Sequence, residues 1–321
     1  MKLGVLTNLL GDLSAEKAFK YLADSGVQAI EIGCGGYPGK AHCNPEELLQ
    51  DDKKIAEFKA MIEGYGLTIS ALSCHGNPVH PQKEIAEAFD KDFRNAILLA
   101  EKLGVTTIVG FSGCPGDCPT SQYPNWVTCP WPDDNLKILD YQWNEVLIPY
   151  WKNMVEFAKA HGVNKIAFEM HPSFCVYNPE TLLKLRAAVG PEIGANFDPS
   201  HLLWQGIDPV RAIYALKDCI FHFHAKDTKI DKYNTSVNGV LDCKHYAEVA
   251  DRAWVFRTIG YGNDIGYWKD IVTALRTIDY DYVMSIEHED SLIAPTEGLQ
   301  KAIKTLKEAM TFEAKGGMWW A

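Results

Sequence analysis

Four apolar runs in the second half of the chain end in acidic and histidine residues. They are KIAFEMHP (Lys165–Pro172), IGANFDPSH (Ile193–His201), IFHFHAKD (Ile220–Asp227) and DYVMSIEHED (Asp281–Asp290). Each run has the composition of a strand buried on both faces, and a segment of helical pattern follows it. Charged residues at the carboxyl ends of such strands lie where α/β proteins place their chemistry. The runs therefore predict four parallel strands with one shared site.

Four more apolar runs predict strands in the first half of the chain. They are LGVLTN (Leu3–Asn8), AIEIGC (Ala29–Cys34), TISALSCHG (Thr68–Gly76) and TTIVGFSG (Thr106–Gly113). Helical patterns lie between the strands, several of them with Ser14, Asn178 or Asp208 as a predicted N-cap. The predicted helices are Ser14–Ser25, Ile85–Leu103, Trp143–His161, Pro179–Val189, Pro209–Leu216, Tyr267–Ile278 and Thr296–Phe312.

Eight strands alternating with helices predict an α/β fold, a (β/α)8 TIM barrel, and we expect residues 1–321 to form one such domain. A doubly wound open sheet is the structural alternative. It is disfavoured because no glycine-rich phosphate loop follows the first strand.

Two predicted connections are far longer than a barrel needs. They are Ser112–Asp140 after the fourth strand and Thr228–Asn263 after the seventh, and long loops in compact domains are usually functional or disordered. Because both follow strands, we expect both on the face that carries the chemistry. Their aromatic side chains suit stacking on sugar rings, with packing against each other or a second subunit as the alternative. These aromatics are Tyr123, Trp126, Trp131, Trp254, Phe256 and Tyr261.

Composition narrows the classes of function. The chain has 321 residues, 47% of them hydrophobic, and a formal net charge of −11. Binding to nucleic acid or to an anionic membrane needs clustered Lys and Arg, so this balance argues against both partners. The N-terminal segment reads as a first strand rather than a signal peptide, and no apolar run reaches the length of a membrane span. We expect a cytoplasmic enzyme with a small-molecule substrate. Whether it forms a homo-oligomer or needs a partner subunit is left open.

Cysteine spacing gives a weaker signal. Six of the nine cysteines are scattered singly, which suits reduced thiols. Cys114, Cys118 and Cys129 share one loop, but their spacing matches no strong zinc pattern and lacks a fourth thiol nearby. A structural or lid role for this loop is favoured over a zinc clip.

Donors at the ends of four successive strands indicate one metal site. The predicted ligands are Glu169, Asp198, His224 and Glu287. Three carboxylates and one imidazole suit Mn²⁺, Mg²⁺ or Co²⁺, with Zn²⁺ as a further candidate. Four ligands leave two octahedral positions for a carbonyl and an adjacent hydroxyl of a sugar. The metal would polarise the carbonyl and stabilise an enediolate while nearby carboxylates move the proton of the adjacent carbon.

Residues beside these ligands are candidates for substrate contacts. His222 and His224 point to the same face because side chains alternate along a strand, and His224 is nearer the carboxyl end. At the two glutamate-containing ends, the deeper glutamate is taken as ligand and the outer residue faces substrate. The predicted substrate contacts are His75, His171, His201, Lys226, Arg257 and Glu289. A packed role for His75 and a charge pair for Lys226 stay open.

At these residues the chain resembles the xylose-isomerase-like sugar (phosphate) isomerase/epimerase family of TIM barrels. The resemblance runs from EIG (Glu31–Gly33) to IEHED (Ile286–Asp290) and is strongest over FEMHP, NFDPSH, HFHAKD and IEHED. It implies one divalent metal, most often Mn²⁺, on the four ligands named above. In the ketose 3-epimerases of this family, the two metal-bound glutamates are also the catalytic acid and base. The resemblance therefore implies that role for Glu169 and Glu287.

Departures from those epimerases leave the outcome of the reaction open. Their substrate arginine after the strand-seven histidine has no match, since Lys226 stands two residues after His224. The chain is also similar to barrel subunits of bacterial enzymes that act on 3-oxo-glycosides, including C-glycoside deglycosidases. In those enzymes the enediolate expels the group at the anomeric carbon. We expect an isomerase or epimerase, with a lyase-type deglycosidase as the alternative.

Two other classes are disfavoured. Apurinic endonucleases share the barrel, but they need more metal ligands on more strands and a basic surface that faces DNA. A sugar-binding protein without activity would not need two glutamates that bracket a metal.

Overall fold

Eight parallel strands close into a barrel in the computed structural model, which describes residues 1–318 and 320. The structure also has two strands outside the barrel. In chain order, all the strands described are β1 (Lys2–Leu6), β2 (Ala29–Gly33), β3 (Thr68–Ser73), β4 (Thr107–Gly110), β5 (Lys165–Glu169), β6 (Ile193–Phe197), β7 (Ile220–Ala225), β8 (Asp227–Ile230), β9 (Trp254–Arg257) and β10 (Val283–Ile286). Strands β8 and β9 form a separate antiparallel ribbon, and β10 pairs with both β7 and β1 to close the barrel. The closed parallel sheet confirms the predicted (β/α)8 barrel and excludes the open sheet.

Long helices cover the outside of the barrel, and short helices lie in the connections between the elements. They are α1 (Ala15–Asp24), α2 (Pro45–Leu48), α3 (Asp52–Gly64), α4 (Lys83–Leu103), α5 (Asp134–Asp140), α6 (Ile148–Ala160), α7 (Pro179–Val189), α8 (Pro199–Trp204), α9 (Pro209–Ala215), α10 (Lys232–Asn238), α11 (Ile265–Thr277) and α12 (Pro295–Ala309). Ser14, Asn178 and Asp208 cap α1, α7 and α9 through their side chains, as predicted. Across the described residues, no helix combines the length and the apolar character needed to span a bilayer.

The main core lies between this helical layer and the barrel. Every residue of β2, β4, β6 and β10 is buried, as expected of strands covered by helices outside and side chains inside. Trp151 of α6 illustrates the packing, because its ring meets Phe93 of α4 at 5.4 Å and Phe168 of β5 at 4.5 Å between centroids. The strands are thereby held in fixed positions relative to their helices, and so are their carboxyl ends.

Several short helices, α2, α5, α8 and α10, were not predicted, and two longer helical segments also differ from the prediction. Helix α3 was not predicted, although its buried Ile55, Phe58 and Ile62 have helical spacing and Asp51 caps its first turn. The predicted helix Trp143–His161 begins too late, because α5 continues through a π-helical segment, residues 141–147, into α6. Single-turn irregularities of this kind leave the hydrophobic period nearly unchanged, so the sequence pattern does not reveal them.

The insertion after β4 is ordered by contacts with the helical segment that follows it. Gln142 donates from Nε2 to the carbonyls of Pro115 at 3.1 Å and Asn125 at 2.6 Å. Of its cysteines, Cys114 is buried, while Cys118 and Cys129 are exposed. Among the described residues, the groups with metal-binding geometry include no cysteine. The structural interpretation of this loop therefore fits better than a zinc clip.

The insertion after β7 is held by two buried carboxylates. Asp227 accepts from the backbone N–H groups of Gly260, Gly262 and Asn263 at 3.0–3.1 Å. Asp290, beyond β10, accepts from the Thr258 N–H at 2.7 Å and from the Thr258 hydroxyl at 2.9 Å. These contacts tie the returning segment of the insertion to the rim of the barrel.

We predict that Asp227→Ala destabilises the protein by about 2–4 kcal/mol, because several buried N–H groups lose their acceptor together. Chemical denaturation measures the loss, and faster hydrogen exchange over residues 254–263 locates it. Asp251→Ala is the matched control, since Asp251 is exposed on the same insertion. Equal stability of the two variants would contradict the anchoring role of Asp227.

Candidate metal centre and substrate cleft

The four predicted metal ligands converge at the carboxyl-terminal rim of the barrel. They are Glu169 at the end of β5, Asp198 directly after β6, His224 in β7 and Glu287 directly after β10. One donor atom from each lies within 4.8 Å of the others. The barrel brings them together because the ends of its parallel strands share one rim.

Two buried donor atoms of this cluster, Asp198 Oδ2 and His224 Nδ1, have no hydrogen-bond partner among the described residues. His224 Nδ1 lies 3.1 Å from an oxygen of Glu169 and 3.0 Å from an oxygen of Glu287, but the angles do not make hydrogen bonds. Buried polar atoms without a partner are unfavourable unless an ion or water binds them. The two orphaned atoms and the hard donor set fit a divalent cation.

Negative charge dominates this region. Glu31, Glu169 and Asp198 are buried, and the Glu287 side chain is only 12% exposed. Lys226 is a buried lysine beside them, and its positive charge falls well short of the total negative charge. Buried carboxylates without compensation cost several kcal/mol each. A divalent cation would offset much of this cost.

Two histidines orient Glu169. His75 Nε2 lies 3.0 Å from Oε2, and His201 Nε2 lies 2.9 Å from Oε1. Burial alone would raise the pKa of the Glu169 carboxyl, but its close contacts with His201, His224 and His75 bring that pKa well below its usual value. His201 reaches the cluster because Asp198 caps α8, which turns the chain back over the rim. Both predicted substrate contacts therefore touch a ligand candidate.

Lys226 pairs with the opposite side of the cluster. Its Nζ lies 3.0 Å from Glu287 Oε2 and 2.8 Å from Glu289 Oε2, and it sits 4.5 Å from the ring centre of Phe256. Burial would raise the pKa of Glu287, but the positive charge of Lys226 brings it to about 2. Glu287 is thus paired with a lysine, whereas Glu169 is oriented by two histidines.

Of the other predicted substrate contacts, His171 lines the cleft and Arg257 does not. His171 packs against His201 with ring centroids 4.1 Å apart. Burial, helped by the charge of His201, lowers the pKa of His171 to about 3, so its ring is neutral at neutral pH. Arg257 points elsewhere, because its Nε pairs with Asp290 at 3.1 Å and it does not line the cleft.

Glu31 is a buried site residue that the sequence analysis missed. It lies in β2, and its two carboxylate oxygens are 3.0 and 2.9 Å from His224 Nε2. Burial would raise the pKa of Glu31, but His224 and His222 hold it well below its usual value. An acid in the middle of an otherwise apolar buried strand was the available signal, because such a residue needs buried partners.

A cleft of about 770 Å³ opens over the cluster. Its polar end carries Glu169, His171, Lys226 and Glu287, and aromatic side chains line the rest. The aromatic residues are Tyr37, Phe111, Phe174, Tyr246 and Phe256. Phe256 is the one predicted loop aromatic in this lining. Trp254 stacks on Trp204 instead, with ring centroids 4.6 Å apart.

The insertion after β4 does not line the cleft. Its Tyr123 and Trp131 are exposed, and its Trp126 packs edge-on against Tyr177 at 5.5 Å between centroids. Tyr261, in the other insertion, is also exposed. These four aromatics therefore lie outside the cleft lining, to which the insertion after β7 contributes only Tyr246 and Phe256 among its aromatic residues.

Comparisons with known proteins give the family. A family model described as a xylose isomerase-like TIM barrel matches residues 19–309. YfiH of Bacillus subtilis (strain 168), an uncharacterized protein, is 40% identical over 313 residues, which cover 97% of this chain and all of YfiH.

Solved structures agree on the fold. The IOLI protein, described with a bound zinc atom, has a TM-score of 0.64 at 19% identity and covers 96% of this chain and 98% of its own. A probable 3-DHS dehydratase, AsbF of Bacillus anthracis, has a TM-score of 0.63 at 18% identity. The match covers 96% of this chain and 99% of AsbF. A D-tagatose 3-epimerase-like protein has a TM-score of 0.62 at 22% identity, and the match covers 96% of this chain and 99% of that protein. The chain belongs to the xylose isomerase-like TIM-barrel family.

Proposed function

We propose that the protein is a divalent-metal-dependent sugar isomerase or epimerase. The observation that carries this proposal is the convergence of Glu169, Asp198, His224 and Glu287, with two of their buried donor atoms unpartnered. The fold likeness to a D-tagatose 3-epimerase-like protein supports the reaction class. Mn²⁺ is the metal we favour, with Mg²⁺, Co²⁺ and Zn²⁺ as alternatives, and the bound zinc of the IOLI protein supports a divalent ion.

The proposed reaction begins with removal of a proton next to a carbonyl. One of Glu169 and Glu287 takes the proton from carbon, and the electron pair moves onto the carbonyl oxygen to give an enediolate. The other glutamate returns a proton to the opposite face, which inverts that carbon. Both carboxylates lie about 3 Å from the same His224 nitrogen, so they flank one centre. A bound divalent cation supplies Lewis-acid polarisation of the carbonyl.

The surrounding residues support these roles. His75 and His201 fix the orientation of Glu169 through direct contacts at 3.0 and 2.9 Å. Lys226 carries a positive charge at the polar end of the cleft, where it can attract an oxygen that gains negative charge. The aromatic side chains beyond them line the rest of the cleft, where they can shield a bound enediolate from water.

A second candidate is a lyase-type deglycosidase that acts on 3-oxo-glycosides. The cleft favours it, because about 770 Å³ with aromatic walls suits a ligand larger than one sugar ring. In this reaction the enediolate electrons expel the group at the anomeric carbon, and an acid in the site protonates that group. AsbF is described as a probable dehydratase, so a relative in fold is assigned to an elimination.

We predict that each chain binds one divalent ion. Asp198→Ala and His224→Ala should each abolish this binding, because each variant removes an orphaned donor atom. Elemental analysis after dialysis against Mn²⁺ measures occupancy. Asp208→Ala is the matched control, since Asp208 caps α9 before a proline as Asp198 caps α8. Full occupancy in both site variants would overturn the ligand assignment.

We predict that Glu169→Gln and Glu287→Gln lower the rate of the proposed isomerase or epimerase reaction by about 10²- to 10⁴-fold. This loss should exceed any effect of lost metal, because an amide cannot carry the proton. Activity and bound metal are measured on the same samples, after reloading with Mn²⁺. Glu297→Gln, on the first turn of α12, is the control and should retain the wild-type rate. Full recovery by the reloaded site variants would mean that both glutamates are ligands only.

The outcome of the reaction is tested in D₂O with Mn²⁺, using free ketoses and 3-oxo-glycosides as substrates. We expect an epimer or isomer that carries deuterium at the carbon that loses its proton. Nuclear magnetic resonance identifies the product and the labelled carbon. Release of the aglycone without any epimer would reverse the ranking of the two candidates and leave the metal assignment standing.

A further inference from the structure

Glu31 occupies an unusual position for a charged residue. It lies in the middle of β2 with no exposed surface, in the interior of the barrel where branched apolar side chains are usual. A carboxylate there is unfavourable unless donors surround it. The chain therefore has to provide a set of donors for this one side chain.

Three other barrel strands supply those donors. The hydroxyl of Ser73 in β3 donates to Glu31 Oε1, and the hydroxyl of Ser285 in β10 donates to Oε2 at 2.7 Å. His224 Nε2 in β7 lies 3.0 and 2.9 Å from the two oxygens. Ser285 and His224 are register partners on neighbouring strands, so their side chains reach the same carboxylate. Strands β2, β3, β7 and β10 thus meet at Glu31.

The carboxylate of Glu31 determines which nitrogen of His224 carries a proton. An ionised carboxylate can only accept hydrogen bonds, so the Nε2 of His224 has to donate. A neutral imidazole that carries its proton on Nε2 has a free lone pair on Nδ1. That Nδ1 is the orphaned atom that faces Glu169, Asp198 and Glu287.

We infer that Glu31 is a positioning residue that holds the His224 ring in place and keeps its proton on Nε2, so that Nδ1 is the ligand atom. This inference rests on the proposed metal site. Carboxylates that hold a ligand histidine in this way typically change metal affinity by about 10- to 100-fold when they are removed. Glu31 would thus tune the metal without touching it.

A second arrangement of the same residues has to be distinguished. Glu31, His222 and His224 also have donor atoms close enough to hold an ion by themselves. His222 Nδ1, however, already pairs with Asn196 Oδ1 at 2.9 Å, and its Nε2 lies 3.1 Å from the Ser70 hydroxyl. His222 is therefore engaged on both nitrogens, and the cluster at the rim is the site that keeps orphaned donors.

The test uses the full-length protein and compares Glu31→Gln with the wild type. An amide has the same shape, but it can either donate or accept, so it no longer dictates where the histidine proton lies. Calorimetric titration with Mn²⁺ should give a dissociation constant about 10- to 100-fold higher for the variant. In wild-type protein loaded with diamagnetic Zn²⁺, nitrogen-15 NMR of the histidines should show His224 protonated on Nε2.

Controls separate the possible failures. His222→Gln should bind Mn²⁺ as the wild type does, and His224→Ala should not bind it. If Glu31→Gln does not fold, Ser285→Ala, which removes one donor that holds Glu31, should weaken binding by a smaller factor. Absence of Mn²⁺ binding by the wild type would overturn the proposed function. Wild-type binding with an unchanged dissociation constant in the Glu31 or Ser285 variant, or a proton on Nδ1 of His224, would overturn the role of Glu31 alone.

Discussion

Concentrated negative charge at one end of an apolar barrel is the constraint on which this structure depends. Glu31, Glu169, Asp198 and Glu287 lie close together and are almost fully buried, so each needs a positive charge or a hydrogen-bond donor. The interior polar side chains meet this need: histidines contact Glu169, serines donate to Glu31, and Lys226 contacts Glu287. A hydrophobic interior would be easier to stabilise, so these groups are best explained by the metal binding and proton transfer that we propose for them.

The sequence was most informative where local pattern determines structure. Apolar runs that end in acids identified the strands and the four convergent residues, because the end of a parallel strand has one location in a barrel. Pairings between distant segments were not predictable. Arg257 seemed available for substrate, but Asp290 lies beside it only because the insertion after β7 folds back onto the rim. Glu31 was missed for the same reason, since its partners come from three other strands.

In the proposed function, the cleft separates the chemistry from the recognition of substrate. Its polar end carries the two glutamates that the proposed proton transfer needs, and this step is common to the epimerase and deglycosidase reactions. The aromatic wall determines which molecules reach that end. Its residues come from loops after several strands, and loops vary more freely than the strands that hold the acids.

The two insertions differ in how they are attached, and this difference has a consequence for altering the enzyme. The insertion after β7 carries Phe256 in the cleft wall, and it is anchored by Asp227 and Asp290, each three residues beyond a proposed ligand. Replacing this segment to accept a new substrate would therefore disturb the backbone that holds His224 and Glu287. The insertion after β4 is anchored at its start, where Cys114 exchanges hydrogen bonds with the Asn77 side chain and the Ser112 hydroxyl accepts from the Val176 N–H. Its exposed tip, which carries Tyr123 and Trp131, can be altered at a distance from the ligands, whereas a change in the insertion after β7 acts on the cleft wall and on the ligand backbone together.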